Sequence, residues 1–160
     1  MLRPVEWKDL ESDRCSVAHT ASVVGDGWTV LVLRDLFNDI RRFDDLAAHL
    51  GIARNVLTRR LAALVDEGVV ERVPYREPGS RERHEYRLTA AGTDLRPVIL
   101  AMLTWGDAHR AGPDGPPVQV EHRGCGAPVH VELRCTQGHR IEPATGLRSV
   151  ANPAALAASR

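Results

Sequence analysis

Leu50-Gly51-Ile52-Ala53-Arg54-Asn55-Val56-Leu57-Thr58-Arg59-Arg60-Leu61-Ala62-Ala63-Leu64 is the stretch on which the fold turns. Leu57, Leu61 and Leu64 recur at i, i+4 and i+7, which places them on one face of a helix from Arg54 to Glu67. At about 100° per residue, Asn55, Thr58, Arg59 and Ala62 point the opposite way. Just upstream, Phe43, Leu46, Ala47 and Leu50 keep helical spacing within a shorter helix from Arg42 to Leu50, with Asp44, Asp45 and His49 outward. Gly51-Ile52-Ala53 joins the two helices, and Gly51 suits the tight reversal because it tolerates positive φ. Ala53 offers no side-chain acceptor to the free N–H groups that open the following helix.

Outward from this pair, Trp28 to Phe37 is apolar around most of its circumference and reads as the central buried helix. A first helix is expected from Ser16 to Val24, ended by Gly25. Downstream, Gly68 closes the third helix of the core and Val69 to Tyr75 makes a strand. A loop from Arg76 to Arg83 follows, turned by Pro78-Gly79-Ser80, and His84 to Leu88 returns as a second strand. Thr89 is placed to cap a long helix carrying Leu95, Val98, Ile99, Met102, Leu103 and Trp105. Pro97 within it calls for an early turn or a kink. The fold class expected is α+β: a winged helix-turn-helix core over 15–112, an amino-terminal arm over 1–14, and a small β-rich extension over 113–160.

Such a core places a helix in the major groove of DNA. The outward face of the Arg54 helix carries the groups that read base edges: Asn55 for adenine, Arg59 for guanine, and Thr58 or Ala62 against a thymine methyl. Arg54 and Arg60 on the same helix, with Arg76, Arg81 and Arg83 in or beside the loop, complete the expected DNA-binding set through phosphate or minor-groove contact. Glu77, Glu82 and Glu85 alternate with the loop arginines, so a salt-bridged hairpin is the other account of that segment.

The composition fits one domain with an appendage: 160 residues, 43% hydrophobic, 26% charged. The formal net charge is zero, which does not favour nucleic acid, although phosphate contact depends on where basic groups lie rather than on their sum. The longest apolar runs are too short to cross a bilayer, and Met1 to Trp7 has no secretory apolar segment, so a cytoplasmic protein with no membrane partner is expected. Three cysteines do not suggest a disulfide framework.

Cys15-Ser16-Val17-Ala18 and Val24-Gly25-Asp26-Gly27-Trp28-Thr29 resemble the opening signature of the HxlR-type (MarR-like) bacterial transcriptional regulators. Arg41-Arg42-Phe43-Asp44-Asp45-Leu46, Leu57-Thr58-Arg59-Arg60-Leu61 and Glu85-Tyr86-Arg87-Leu88-Thr89-Ala90-Ala91-Gly92 continue the likeness, in order and spacing, to about Gly106. The resemblance implies a homodimer that binds a pseudo-palindromic operator in double-stranded DNA and represses or activates near its own promoter. Two departures stand out: Ala53 replaces the family's usual capping Ser, and Gly79-Ser80 lengthen the wing. Cys15 matches the cysteine that several members use to sense oxidants or electrophiles, and Arg14 beside it suits a reactive thiol. The other account of Cys15 is an inert cysteine packed at a dimer interface.

After Gly112-Pro113-Asp114-Gly115-Pro116-Pro117 the pattern changes. Val118 to His122 and Val129 to Leu133 alternate with period two and read as a hairpin about Gly124-Cys125-Gly126-Ala127-Pro128. His122-x2-Cys125 and Cys135-x3-His139 are two ligand pairs that could close a structural zinc site, the one cofactor the sequence suggests. Reduced cysteines in a small antiparallel sheet are the alternative. The tail also reads as a ligand pocket, for a small-molecule effector, or as a partner surface. Residues 150–160 are Ala-rich and suggest a marginal terminal helix.

Three function classes follow. A sequence-specific DNA-binding regulator leads, on the strength of Asn55, Thr58 and Arg59. A winged module for protein or ligand binding without DNA contact is the rival, favoured by the neutral charge and the acid-laced loop. Nothing orders a nucleophile with its base, so no enzyme is expected.

Overall fold

The computed structural model describes residues 15–76, 78–79, 81–142 and 145–150. The arm over 1–14, Arg14, the wing residues Glu77 and Ser80, and the Ala-rich segment over 151–160 lie outside the described residues. The order of elements is α1 (Ser16–Val24), α2 (Gly27–Phe37), α3 (Phe43–Leu50), α4 (Arg54–Asp66), β1 (Val70–Tyr75), β2 (Arg83–Leu88), α5 (Ala90–Thr93) and α6 (Arg96–Arg110). Helices and a two-stranded antiparallel sheet make this an α+β fold. The chain divides into two compact units, one from Thr20 to Val131 and one combining the segment up to His19 with that from Glu132 onward. The first half of the extension, 113–131, therefore groups with the winged core.

Within the larger unit the core is a set of branched aliphatics: Val32, Leu33 and Leu36 from α2, Leu46 from α3, Ile52 from the turn, Leu57, Leu61 and Leu64 from α4, then Val69 and Val70. The three α4 leucines are at most 1% exposed, as their spacing predicts. Burying each contributes roughly 1.5–3 kcal/mol, which fixes the rotation of α4 about its axis. Helix α2 begins at Asp26, whose carboxylate accepts from the N–H groups of Trp28 and Thr29 at 3.0 and 3.2 Å. Gly51 ends α3 at φ 61°, as the tight reversal requires. Helix α4 ends in a Schellman motif: the Val69 N–H donates to Leu64 O and the Gly68 N–H to Val65 O, with Gly68 at φ 67°.

β1 and β2 pair in register from Val70↔Leu88 to Tyr75↔Arg83. Arg42 adds a bridge to Glu85, and the Tyr86 N–H donates to Arg41 O, so the sheet is tied to the start of α3. Arg83 lies in β2 rather than in the loop. The single long helix expected after Thr89 is two helices. Thr89 caps the short α5 through Gly92 N–H, and α6 starts afresh at Arg96 with Pro97 in its first turn. Proline lacks an N–H and its ring crowds the preceding turn, so only the opening of a helix accepts it at little cost.

The hairpin expected over 118–133 is slighter than its alternation implies. Between 118 and 131 a single bridge, Glu121↔Pro128, is flanked by His122 N–H to Ala127 O and Val129 N–H to Val120 O. In the smaller unit Arg134↔Arg140 is likewise an isolated bridge, beside Cys135 N–H to His139 O. Pro116, Pro117 and Pro128 remove donors and Gly124 and Gly126 lengthen the turn, which leaves few positions to extend a ladder.

Candidate nucleic-acid interface

The leucine face of α4 is sealed in the core, so its other face is presented to solvent: Asn55, Thr58, Arg59 and Ala62 are all exposed. Arg59 has no ion-pair partner among the described residues. Asn55 Oδ1 accepts from the Val56 N–H at 2.9 Å, in the first turn of a helix whose preceding residue, Ala53, supplies no side-chain cap. The Thr58 hydroxyl donates to Arg54 O at 2.8 Å. Arg54 itself is held at the helix start. Its guanidinium donates to Asp44 at 2.7 Å and lies 4.7 Å over the Phe43 ring, which ties α4 to the acidic first turn of α3.

Arg60 departs from the expectation. It turns inward and donates to the Asp26 carboxylate at 2.9 Å, so one acid both caps α2 and anchors α4. Its side chain is 36% exposed, with Nη2 held by Asp26 and Nε buried without a partner among the described residues. The reason is angular: Arg60 lies three positions after Leu57 and four before Leu64, within about 60° of each, and so sits at the edge of the buried stripe, beside the helix that Asp26 opens.

Arg76, Arg81 and Arg83 are exposed in or beside the loop between the strands. Among the described residues neither Arg81 nor Arg83 has an acidic partner. Glu85, expected to compete for them, is held instead by Arg87, whose Nε donates to it at 2.6 Å. The start of α4 and this sheet border a cleft of about 370 Å³, lined by Arg42, Arg54, Arg72, Arg83, His84 and Tyr75 among others. Arg42 stacks 4.7 Å over Tyr75. Arg72 and His84 were not singled out in the sequence. Their signal was present, since the register pairs Arg72 with Tyr86 and Pro74 with His84, which puts both on one face of the sheet.

One further buried group supports the pair of helices. Asp35 on α2 is 1% exposed and accepts from Arg34 at 2.7 and 2.9 Å, while His49 Nδ1 of α3 lies 2.7 Å from its other oxygen. His49, expected to face outward, is half in solvent but fixes α3 on α2.

Cys15 is half-buried at the head of α1, where its carbonyl accepts from the His19 N–H. Each cysteine of the tail meets its histidine across its own turn: His122 Nδ1 is 3.3 Å from Cys125 Sγ, and Cys135 Sγ is 3.6 Å from His139 Nδ1. Gly126 and Gly138, at φ 70° and 83°, make these turns tight. Among the described residues, no three His, Cys, Asp or Glu side chains gather into a metal-sized group. None of the helices among the described residues is long and apolar enough to cross a membrane.

Similarity to known proteins runs over the same region. The family model for the HxlR-like helix-turn-helix matches residues 23–113. The chain is 46% identical over 121 residues to an uncharacterised HTH-type transcriptional regulator of Mycobacterium tuberculosis, covering 76% of this chain and 75% of that one. Among solved structures, PA1607, a candidate transcription factor, matches with TM-score 0.77 and 37% identity over 86% of this chain and 95% of its own. The oxidised form of the redox regulator HypR matches with TM-score 0.54 and 30% identity, covering 61% of this chain and all of its own. The likeness to PA1607 thus reaches beyond the winged core into the extension. From the family match, with the exposed α4 and its wing behind it, the chain belongs to the HxlR-like helix-turn-helix family.

Proposed function

We propose that the chain is a sequence-specific DNA-binding transcriptional regulator that acts as a homodimer on a pseudo-palindromic operator. The observation that carries this reading is the solvent-facing side of α4, where Asn55, Thr58 and Arg59 stand exposed above a leucine face with no freedom to rotate. Arg76, Arg81 and Arg83 of the wing supply phosphate or minor-groove contacts beside it. Dimerisation is supported by α6, where Val98, Met102 and Trp105 remain 40%, 50% and 55% exposed on one stripe. A twofold pair would set two α4 helices at half-sites about one DNA turn apart.

A gel-shift titration against the upstream region, followed by selection of bound DNA from random oligonucleotides, tests this. Wild-type protein is expected to bind with strong salt dependence, and Arg59→Ala to weaken binding by about tenfold with relaxed preference at one base. Wild-type protein without salt-sensitive binding would return the rival reading of a winged module that makes no DNA contact.

Two finer readings rest on separate observations. Cys15 at the head of α1 is proposed as an oxidant or electrophile sensor, supported by the likeness to HypR, a redox regulator. Operator affinity unchanged by diamide would leave it structural. The His122/Cys125 and Cys135/His139 pairs are proposed as zinc ligands. Zinc bonds of about 2.3 Å to sulfur and about 2.0 Å to nitrogen at a tetrahedral angle separate the two donors by about 3.5 Å, which the observed 3.3 and 3.6 Å bracket. Native mass spectrometry showing no stoichiometric metal would end that reading.

A further inference from the structure

We propose that the groove between α6 and the 116–131 segment is a binding site for a small apolar amine, with Asp107 as the counter-ion. Its walls are Leu100 and Leu103 of α6, with Val118, Val120, Val129 and Val131 opposite. Asp107, Thr104, Gln119 and His130 add the polar groups.

The geometry of α6 separates this site from the surfaces already described. At about 100° per residue, Leu95 and Ile99 define the side packed on the winged core. Val98, Met102 and Trp105 fall to one flank of that side, and Leu100, Leu103, Thr104 and Asp107 to the other flank. A second copy seated on the exposed stripe therefore leaves the groove open. Across from it, positions two apart in an extended segment share a face, so Val118 pairs with Val120 and Val129 with Val131 in presenting methyl groups. Val129 N–H to Val120 O at 2.8 Å holds the two segments together. Val118, Val129 and Val131 nonetheless keep 59%, 40% and 37% of their surface exposed, so the wall has apolar area left to cover.

Size and charge then narrow the occupant. The groove measures about 190 Å³. An apolar cavity of about 150 Å³ holds one benzene ring, and drug-sized ligands occupy clefts of roughly 300 Å³ upward, so a single ring or its aliphatic equivalent fits here. Asp107 is half-buried and has no ion-pair or hydrogen-bond partner among the described residues. The neighbouring cation on its helix, Arg110, is committed elsewhere, stacking over Trp105 and donating to His109 O. An unpaired carboxylate at an apolar wall favours an ammonium group and opposes an anion. The site joins α6 to a segment that the likeness to PA1607 extends into, which places ligand binding on the helix that packs directly against α2.

Isothermal titration calorimetry on the full chain tests this with three probes of one shape: benzylamine, benzyl alcohol and benzoate. Saturable binding of benzylamine at one site per chain is expected, with benzyl alcohol weaker by about tenfold and benzoate weaker still. Asp107→Asn is expected to lower benzylamine affinity by about tenfold and to abolish the preference over benzyl alcohol. Val120→Phe, which fills the groove, is expected to remove binding of both while circular dichroism and sedimentation stay as in wild type. The proposal is overturned by equal binding of all three probes, by no saturable benzylamine binding at millimolar concentration, or by an Asp107→Asn variant that binds as wild type. It is also overturned if Val120→Phe shifts the sedimentation coefficient, because the groove would then belong to a second copy. None of these readouts depends on DNA, so the regulator reading stands or falls separately.

Discussion

Asp26 is one side chain with two structural duties. Its carboxylate takes the first free N–H groups of α2 and the guanidinium of Arg60, so the entry to the central helix and the flank of α4 share a contact. Asp26→Ala is expected to lower stability by about 1–2 kcal/mol, read as a lower urea midpoint with unchanged slope. Asp26→Ser keeps a capping oxygen without the charge, so its smaller loss would isolate the ion pair. Gly92 shows the opposite constraint, of space rather than charge. A Cβ there would lie 2.1 Å from the Val69 carbonyl oxygen, a backbone atom that cannot swing away. Gly92→Ala is expected to destabilise by about 1–3 kcal/mol, and an unaltered melting curve would show that α5 shifts freely. Neither duty was legible in the sequence. Asp26 and Gly92 appeared only inside a family signature, because a partner 34 positions away, or the carbonyl of Val69 ahead of β1, comes near only once the chain has folded.

At the scale of elements, the periodic signals were legible and the interruptions were less so. Leucines at i, i+4 and i+7 announce α4 because nothing else in the chain competes to bury that face. Gly51 and Gly68 mark the ends of α3 and α4 because only their positive φ completes each turn. Pro97 signalled trouble without saying which kind, and the structure resolves it as a new helix start. The extension misled for a different reason: alternation reports which side chains share a face, but prolines and glycines decide how many ladder bonds can form. The wing offers a test of its own. Replacing Arg81 and Arg83 with Ala is expected to reduce the slope of log affinity against log salt by about 1.8, at about 0.9 per phosphate lost, with base preference unchanged. A double variant with the wild-type slope would place those arginines away from phosphate.

For the whole molecule, a formal net charge of zero coexists with a local concentration of exposed arginines on α4 and the wing. Asp26, Asp35, Asp44 and Glu85 each hold an arginine of the protein itself, and Arg59, Arg81 and Arg83 are left to solvent. Charge totals therefore do not decide the function. The exposed stripe of α6 predicts assembly: Met102→Ser with Trp105→Ser is expected to shift sedimentation from dimer to monomer at micromolar concentration, with far-ultraviolet circular dichroism retained. An unchanged sedimentation profile would remove α6 from the interface.

The junction after the wing has one more consequence. Thr89 donates its backbone N–H to Val69 O and its hydroxyl to Gly68 O, so the root of the sheet is riveted to the residues that close α4. Helix α4 and the wing are thereby joined at their root, beside the tie from Tyr86 to Arg41 at the start of α3, and on a duplex they would advance or withdraw in step. The span between the two points where such a joined pair touches its track is then set by the protein, like the gauge of a railway, and a track of another gauge would derail it.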